Sequence, residues 1–263
     1  MISQTLFSAV LLAASVSAAP YTKNAPVSKR ATGGTVTNPA IAVFTINDND
    51  GIGAGADTYT FYQGDGTTAE GWPAQTSWVS FDDMFTANTA LMSESCAQFG
   101  EANDSSSEIS DIYNAIEATA QATGVDHRFI LAIIMQESSG CVRVPTTNFG
   151  VRNPGLMQDH NGAGTCNDPT TGVLNPCPTS EIDQMISDGT AGTTDGDGIA
   201  ATINESQASD VSAFYKAARI YNSGSIDPSG DLGAGIATHC YSTDVANRLT
   251  GWVFAPSSCT LDG

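Results

Sequence analysis

The pattern of apolar and polar positions predicts five helices from residue 105 onward, and in three of them, the first, third and fourth, apolar residues recur at the spacing of one helical face. Each predicted helix begins near a serine, threonine or aspartate that can cap a helix. The predicted starts are Ser105, with Glu108 as its capping-box partner, Asp126, Ser180, Asp210 and Thr243. Residues 140–179 are rich in glycine, proline, asparagine and cysteine, which indicates loops or a small hairpin. We therefore expect a mainly α fold with a small β element (α+β).

The second predicted helix is unusual because it has no polar face. All seven residues from Phe129 to Met135 are apolar, so we expect a central helix that is buried on every side. The run continues through Gln136 to Glu137, at the negative end of the helix macrodipole. Two interpretations stay open at this point. Either the helix simply emerges into water, or Glu137 faces a poorly solvated cleft in which a raised pKa keeps it protonated as a general acid.

The beginning of the chain has the features of a secreted precursor. Residues 1–18 combine an apolar stretch with a small-residue cleavage site, so they predict a signal peptide. Residues 19–30 end in Lys29-Arg30 and predict a propeptide that is cut after this pair. The mature chain would keep six basic and 28 acidic residues, a net charge of −22. Such a chain repels phosphate backbones and anionic lipids, so we expect neither a nucleic-acid nor a membrane partner.

The mature chain is long enough for one domain preceded by an arm. Residues 31–56 show little periodicity and predict an irregular N-terminal arm. Residues 57–263 form the predicted main domain, whose first part, 57–104, starts as a hairpin or extended segment and wraps on the helices. Within the arm, Asp48 and Asp50 match only part of a calcium-binding loop. An acidic turn is expected there, and neither a metal nor a cofactor is predicted.

Six cysteines indicate an extracellular protein with three disulfides, although fifteen pairings are open from sequence alone. They form no CxxC pair, so a zinc site is not expected. The disulfide candidates are Cys96, Cys141, Cys166, Cys177, Cys240 and Cys259. Two sequons, at Asn103 and Asn204, are candidate glycosylation sites on a secreted surface.

Three short motifs follow one another along the chain. They are Glu137-Ser138, then Gly155-Leu156-Met157-Gln158, then Ala218-x-x-Tyr221-Asn222-x-Gly224. In this order they resemble the signature segments of the soluble lytic transglycosylase and goose-type lysozyme superfamily, a glycoside hydrolase family 23-like group. The resemblance covers roughly residues 105–250, and the mature chain as a whole is similar to the secreted fungal branch of that family.

The resemblance implies that residues 57–263 are a lysozyme-like catalytic domain and that the protein is a monomeric, secreted muramidase. Its substrate would be the β-1,4 bond between N-acetylmuramic acid and N-acetylglucosamine in bacterial peptidoglycan. Glu137 would protonate the departing glycosidic oxygen. Tyr221 would use its hydroxyl to hold Glu137 or an acetamido group. The substrate-binding residues implied in the same way are Ser138, Met157, Gln158, Tyr221 and Asn222.

The second catalytic carboxylate is less well defined by the sequence. Asp159 is the first candidate because goose-type enzymes carry an aspartate just beyond this motif, although here it comes one residue early. Asp168 and Asp188 are weaker candidates. Without such a group, a lytic transglycosylase that releases 1,6-anhydro products is the alternative. A chitin-cleaving enzyme and a wall-polysaccharide lectin also stay open, and the acidity of the chain predicts a working pH below neutral.

Overall fold

The computed structural model describes residues 34–261, and within this range the chain is mainly α-helical, as the sequence predicts. The helices of this range are α1 (Phe81–Ser95), α2 (Ser106–Thr123), α3 (His127–Ser138), α4 (Thr179–Ala191), α5 (Ile199–Glu205), α6 (Ser212–Ser223) and α7 (Tyr241–Leu249). The predicted signal peptide, the predicted propeptide and the first three residues of the predicted arm lie outside the described residues.

Two small antiparallel hairpins fill part of the connection between α3 and α4. The first pairs β1 (Thr147–Asn148) with β2 (Arg152–Asn153), and the second pairs β3 (Asn167–Asp168) with β4 (Gly172–Val173). The sequence predicted loops or a small hairpin in this region, and that prediction is confirmed. The first hairpin matters for the site described below, because its residues line a cavity.

The helix starts agree with the capping signals in the sequence. The Ser105 hydroxyl accepts the N–H of Glu108 at 3.3 Å, and the Glu108 carboxylate accepts the N–H of Ser105 at 2.7 Å, so both halves of the predicted capping box are present. Gly124 ends α2 with a φ of 73°, a conformation that favours glycine. Asp126 accepts the N–H of Arg128 at 3.0 Å and caps α3.

Helices α1 and α5 are absent from the sequence-based prediction. The residues of α1 include many aspartates, asparagines, threonines and serines, whose helix propensity is low. The helix is stabilised instead by burial of Phe81, Phe85 and Met92, each with no accessible surface. Of the hairpin or extended segment predicted between residues 57 and 78, the hairpin is not formed, since this segment contains no strand and only bends, turns and two short 3₁₀ helices.

Helix α3 lies at the centre of the fold. Its residues from Phe129 to Met135 are fully buried, because α1, α2 and α7 pack around it. Edge-to-face contacts join Phe129 to Phe214 of α6 and Phe214 to Trp78. The all-round apolar pattern therefore corresponds to a central buried helix, as predicted. Its C-terminal end is consequently held in a fixed position.

A buried ion pair ties the start of α2 to the segment that follows α3. Arg143 donates to Glu108 at 2.5 Å, and the same carboxylate accepts the N–H of Cys177 at 2.8 Å. Burial alone raises the pKa of Glu108, but the hydrogen bonds from Arg143, Ser105 and Cys177 outweigh it and lower the pKa to about 2. Glu108 thus joins three separate parts of the chain.

The described part of the N-terminal arm, residues 34–56, contains neither helix nor strand and is bonded to the helical domain. Its acidic turn contacts His127, whose Nε2 lies 3.0 Å from Asp50 and whose Nδ1 lies 2.8 Å from Glu117. Burial lowers the pKa of His127, but these two carboxylates outweigh it and raise the pKa to about 9. The acidic turn therefore pairs with a protonated histidine.

The two candidate glycosylation sites differ in their surroundings. Asn103 is exposed. The Nδ2 atom of Asn204, to which a glycan would be attached, donates to the carbonyl of Thr35 at 2.8 Å, and its Oδ1 accepts the N–H of Thr37 at 2.9 Å. Since the Asn204 amide is used to hold the arm, Asn103 is the better candidate in the folded protein.

The six cysteines form three disulfides, as predicted, and the structure supplies the pairing that the sequence left open. The bonds are Cys96–Cys141, Cys166–Cys177 and Cys240–Cys259. This content is consistent with an extracellular protein. Within the described range, none of the helices has the length and apolar character that crossing a membrane requires.

Candidate functional site

A cavity of about 660 Å³ opens at the C-terminal end of α3. Its walls come from the β1–β2 hairpin, the loop that follows β2, the connection from α4 to α5, α5 itself and the end of α6. Residues of all three sequence motifs lie in these walls. They are Glu137, Gln158, Tyr221, Asn222 and Gly224.

Glu137 occupies the last turn of α3, where the carboxyl group reaches the cavity but is otherwise surrounded by protein. Its Oε1 accepts a hydrogen bond from the hydroxyl of Tyr241 at 2.5 Å. Burial raises the pKa of Glu137 to about 7, and the bond from Tyr241 only partly opposes this shift. Below neutral pH the group is therefore a protonated acid in contact with a cavity.

Helix α7 positions the end of α3 through one face. Asp244 accepts the side-chain amide of Gln136 at 3.1 Å, and Arg248 donates to the Oε1 of Gln136 at 2.9 Å. Tyr241 precedes these two residues by three and seven positions, so the three side chains lie on one side of α7. Tyr241 lies outside the helix that the sequence predicts from Thr243, and no local signal places it against Glu137.

Gln158 reaches the cavity from the loop that follows β2. Its backbone has a φ of 46°, which turns the chain sharply after Gly155. The side-chain Oε1 accepts the hydroxyl of Thr147 at 2.9 Å, and Nε2 donates to the carbonyl of Gly155 at 3.0 Å. Both ends of the amide are thus held by protein groups, so Gln158 forms a rigid part of the wall.

Tyr221 and Asn222 approach the cavity from the end of α6. Of the two roles predicted for the Tyr221 hydroxyl, the bond to Glu137 is not formed, because this hydroxyl donates to the carbonyl of Met157 at 2.8 Å. The contact with an acetamido group stays a prediction. The tyrosine that contacts Glu137 is Tyr241. Asn222 keeps a wall position, and its Oδ1 has no hydrogen-bond partner among the described residues.

Two predicted substrate-binding residues do not reach the cavity. Ser138 is buried and donates its hydroxyl to the carbonyl of Ile134 at 3.0 Å, as a serine within a helix end commonly does. The side chain of Met157 is also fully buried and packs against Gly189. Met157 contributes through its backbone instead, since its carbonyl fixes Tyr221.

Asp159 is not the second carboxylate of this cavity, so its tentative assignment is wrong. Gln158 lines the cavity, whereas the next residue, Asp159, is only 2% exposed and packs against Gly162. Burial, and then the charge of Asp188, raise its pKa to about 8, more than the nearby Gly162 amide lowers it. A buried, protonated group cannot accept a proton from water in the cavity.

The weaker candidates also lie elsewhere. Asp168 pairs with Arg152 at 2.8 Å, and Asp188 accepts the backbone N–H groups of Ala163 and Gly164 at 2.7 and 3.1 Å. Both carboxylates therefore bind groups of the loops behind the cavity. They do not line it.

Three exposed carboxylates that the sequence did not mark as candidates line the cavity together with Glu137. Asp195 and Asp197 belong to the connection from α4 to α5, and Glu205 ends α5. Among the described residues, no lysine or arginine lines this cavity. We call Asp195, Asp197 and Glu205 the acidic wall. No local motif marks these residues, because only the packing of α5 beside α6 brings them to the cavity.

The rim carries one exposed aromatic side chain. Phe149, in the turn of the β1–β2 hairpin, is 90% exposed and lines the cavity. His160 lines the cavity as well and packs against Gly196 of the opposite loop. An exposed aromatic ring beside a polar cavity is a surface on which an apolar sugar face can stack.

The comparisons with known proteins add no family. Neither the protein-family models, nor the curated proteins, nor the solved structures gave a significant match to this chain. The resemblance to the transglycosylase and goose-type lysozyme superfamily therefore rests on the three motifs.

Proposed function

We propose that this protein is a secreted glycosidase of the muramidase type, which hydrolyses the β-1,4 bond between N-acetylmuramic acid and N-acetylglucosamine in bacterial peptidoglycan. One observation carries the proposal. Glu137 has its pKa raised to about 7 and lies at a cavity whose wall also contains Gln158, Tyr221 and Asn222 of the other two motifs. A lysozyme-like fold of the catalytic domain is part of the same proposal.

Glu137 acts as the general acid. Its carboxyl proton passes to the glycosidic oxygen as the bond from that oxygen to C1 breaks, while positive charge develops on the sugar ring. Tyr241 holds the carboxyl group through Oε1, which leaves Oε2 for the proton that is transferred. The acid works only while it is protonated, so activity falls as the pH rises through about 7.

Hydrolysis also requires a base that takes a proton from the attacking water. In inverting enzymes this carboxylate lies about 6.5 to 9.5 Å from the acid and faces the substrate. Asp159 does not meet this requirement, whereas the exposed acidic wall borders the same cavity. We assign the base to one of Asp195, Asp197 and Glu205.

A lytic transglycosylase is the second candidate, because the buried position of Asp159 removes the aspartate that the motif suggested as a base. In that reaction the 6-hydroxyl of the sugar attacks C1, and no water is consumed. Mass spectrometry of the released fragments separates the two reactions. Reducing ends support hydrolysis, whereas 1,6-anhydro ends show that the reaction is transglycosylation.

Loss of turbidity from a peptidoglycan suspension, measured from pH 3 to 8, tests the proposal as a whole. We expect an optimum below 7 and loss of lysis in the Glu137→Gln variant, which keeps the size of the side chain and an acceptor for Tyr241. Binding without lysis in the wild type indicates a lectin, and lysis of chitin alone indicates a chitin-cleaving enzyme. Undiminished lysis by Glu137→Gln overturns the assignment.

A further inference from the structure

Hydrogen-bond donors are scarce on the cavity wall. The hydroxyls of Tyr221 and Thr202 donate to the carbonyls of Met157 and Ile199. Three more side-chain donors already have acceptors within the protein. The Thr147 hydroxyl donates to Gln158, and the Gln158 amide donates to the carbonyls of Gly155 and Pro145. The Asn153 amide donates to the carbonyl of Val151. Apart from Glu137 itself, the side-chain amide of Asn222 and the ring of His160 remain as side-chain donors for a ligand among the described wall residues.

Acceptors are abundant on the same wall. The carboxylates of Asp195, Asp197 and Glu205 are exposed and line the cavity. This arrangement suits a ligand that carries N–H and O–H donors, and especially a cation.

The basic residues nearby do not offset this charge. Arg152, in the hairpin that lines the cavity, is paired with Asp168 at 2.8 Å. Arg248, near Glu137, donates to Gln136 at 2.9 Å and stacks over Trp252. His160 is the one basic side chain that lines the cavity in the described part of the chain. The acidic wall therefore keeps an excess of negative charge beside the proposed acid.

We propose that the acidic wall makes this cavity selective for β-1,4-linked hexosamine chains in which part of the amino groups are free. This inference rests on the proposed function, because it takes the cavity as the glycan site. A glucosamine unit carries an ammonium group where N-acetylglucosamine carries a neutral acetamido group. The ammonium pairs with the carboxylates, whereas the lactyl carboxylate of a muramic acid unit is repelled. Partly N-deacetylated peptidoglycan meets both proposals, because it contains the bond that a muramidase cleaves and also carries free amino groups.

Calorimetric binding to the inactive Glu137→Gln variant tests this selectivity apart from catalysis. The probes are tetraglucosamine and its fully acetylated counterpart, chitotetraose, at about pH 5.5, where the sugar amines are protonated. With a few-fold gain for each exposed ion pair, we expect tetraglucosamine to bind at least about tenfold tighter. The preference should shrink in about 1 M salt, where the Debye length is about 3 Å.

Charge removal identifies the residues. Asp197→Asn with Glu205→Gln, made in the Glu137→Gln background, should bring the two affinities to within about threefold of each other. The matched control, Glu70→Gln with Glu94→Gln, removes two exposed carboxylates outside the cavity and should keep the preference. Equal or tighter binding of chitotetraose, or equal loss of the preference in both double variants, overturns the inference.

The two proposals fail in different ways. If the wild-type protein lyses acetylated peptidoglycan through Glu137 but Glu137→Gln shows no preference for tetraglucosamine, the selectivity is wrong and the proposed function stands. If Glu137→Gln lyses peptidoglycan as the wild type does, the proposed function is wrong, and the binding preference also loses its basis as a substrate specificity.

Discussion

The bond from Tyr241 to Glu137 gives a prediction about the pH dependence of the reaction. A hydrogen bond to a carboxylate stabilises the charged form and so lowers its pKa. Tyr241→Phe removes this donor from a position that is only 3% exposed, where water does not readily replace it. A hydrogen bond to a charged group contributes about 1.5 kcal/mol or more, and 1.36 kcal/mol corresponds to one pKa unit. We therefore expect the pKa of Glu137 to rise from about 7 by roughly one unit.

The measurement is the alkaline limb of the profile of kcat/KM against pH, together with direct titration of Glu137 by NMR in the free protein. Tyr221→Phe is the matched control, because Tyr221 lines the same cavity but donates to Met157 and not to Glu137. The limb should move upward in Tyr241→Phe and stay in place in Tyr221→Phe. An unchanged or lowered limb in Tyr241→Phe, or an equal shift in both variants, would refute the reasoning.

Three further predictions concern stability. Burial raises the pKa of Glu137 from 4.5 to about 7, so its charge opposes folding increasingly as the pH rises through this interval. At pH 8 the free energy of unfolding of Glu137→Gln, measured with urea, should therefore exceed that of the wild type by at most about 3 kcal/mol. At pH 4 the variant should show no gain. A gain that does not depend on pH contradicts this prediction. Because the pKa of His127 is raised, its ion pairs stabilise the fold fully below about pH 6.5 and are lost as the pH rises through about 9. The free energy of unfolding of the wild type, relative to that of His127→Gln, should therefore fall by up to about 3 kcal/mol across that window. A constant advantage shows that the imidazole does not titrate as described. Replacing Cys96 and Cys141 with serine opens a 45-residue loop and should lower the free energy of unfolding by about 4 kcal/mol. A loss below about 1 kcal/mol contradicts the loop-entropy argument.

Much of the helical framework can be predicted from local signals. Ser105 and Asp126 cap α2 and α3, as their side chains predict, and the five predicted helices begin within about two residues of the observed starts. Helix α1 was missed because its stability comes from the burial of Phe81 and Phe85, which depends on partners distant in sequence.

In the candidate site, too, some features follow from local sequence signals and others depend on residues distant in sequence. Glu137, Gln158, Tyr221 and Asn222 meet at one cavity, as the order of their motifs suggested. The predicted bond from Tyr221 to Glu137 is absent because the direction of a side chain depends on the neighbouring segment, and here the Tyr221 hydroxyl donates to the Met157 carbonyl. Asp159 was misplaced by a single position, which is enough to turn a side chain from a cavity into the interior.

The sequence by itself determined the mainly α character, the buried central helix and the position of Glu137 at the end of that helix, since periodicity and capping act within a few residues. The tertiary structure decided which cysteines pair, which tyrosine holds Glu137 and which carboxylates share its cavity. These features join residues up to 104 positions apart, as Glu137 and Tyr241 are. The physical reason is that local interactions fix the direction of each helix, whereas hydrogen bonds and charges across a cavity depend on how the helices pack.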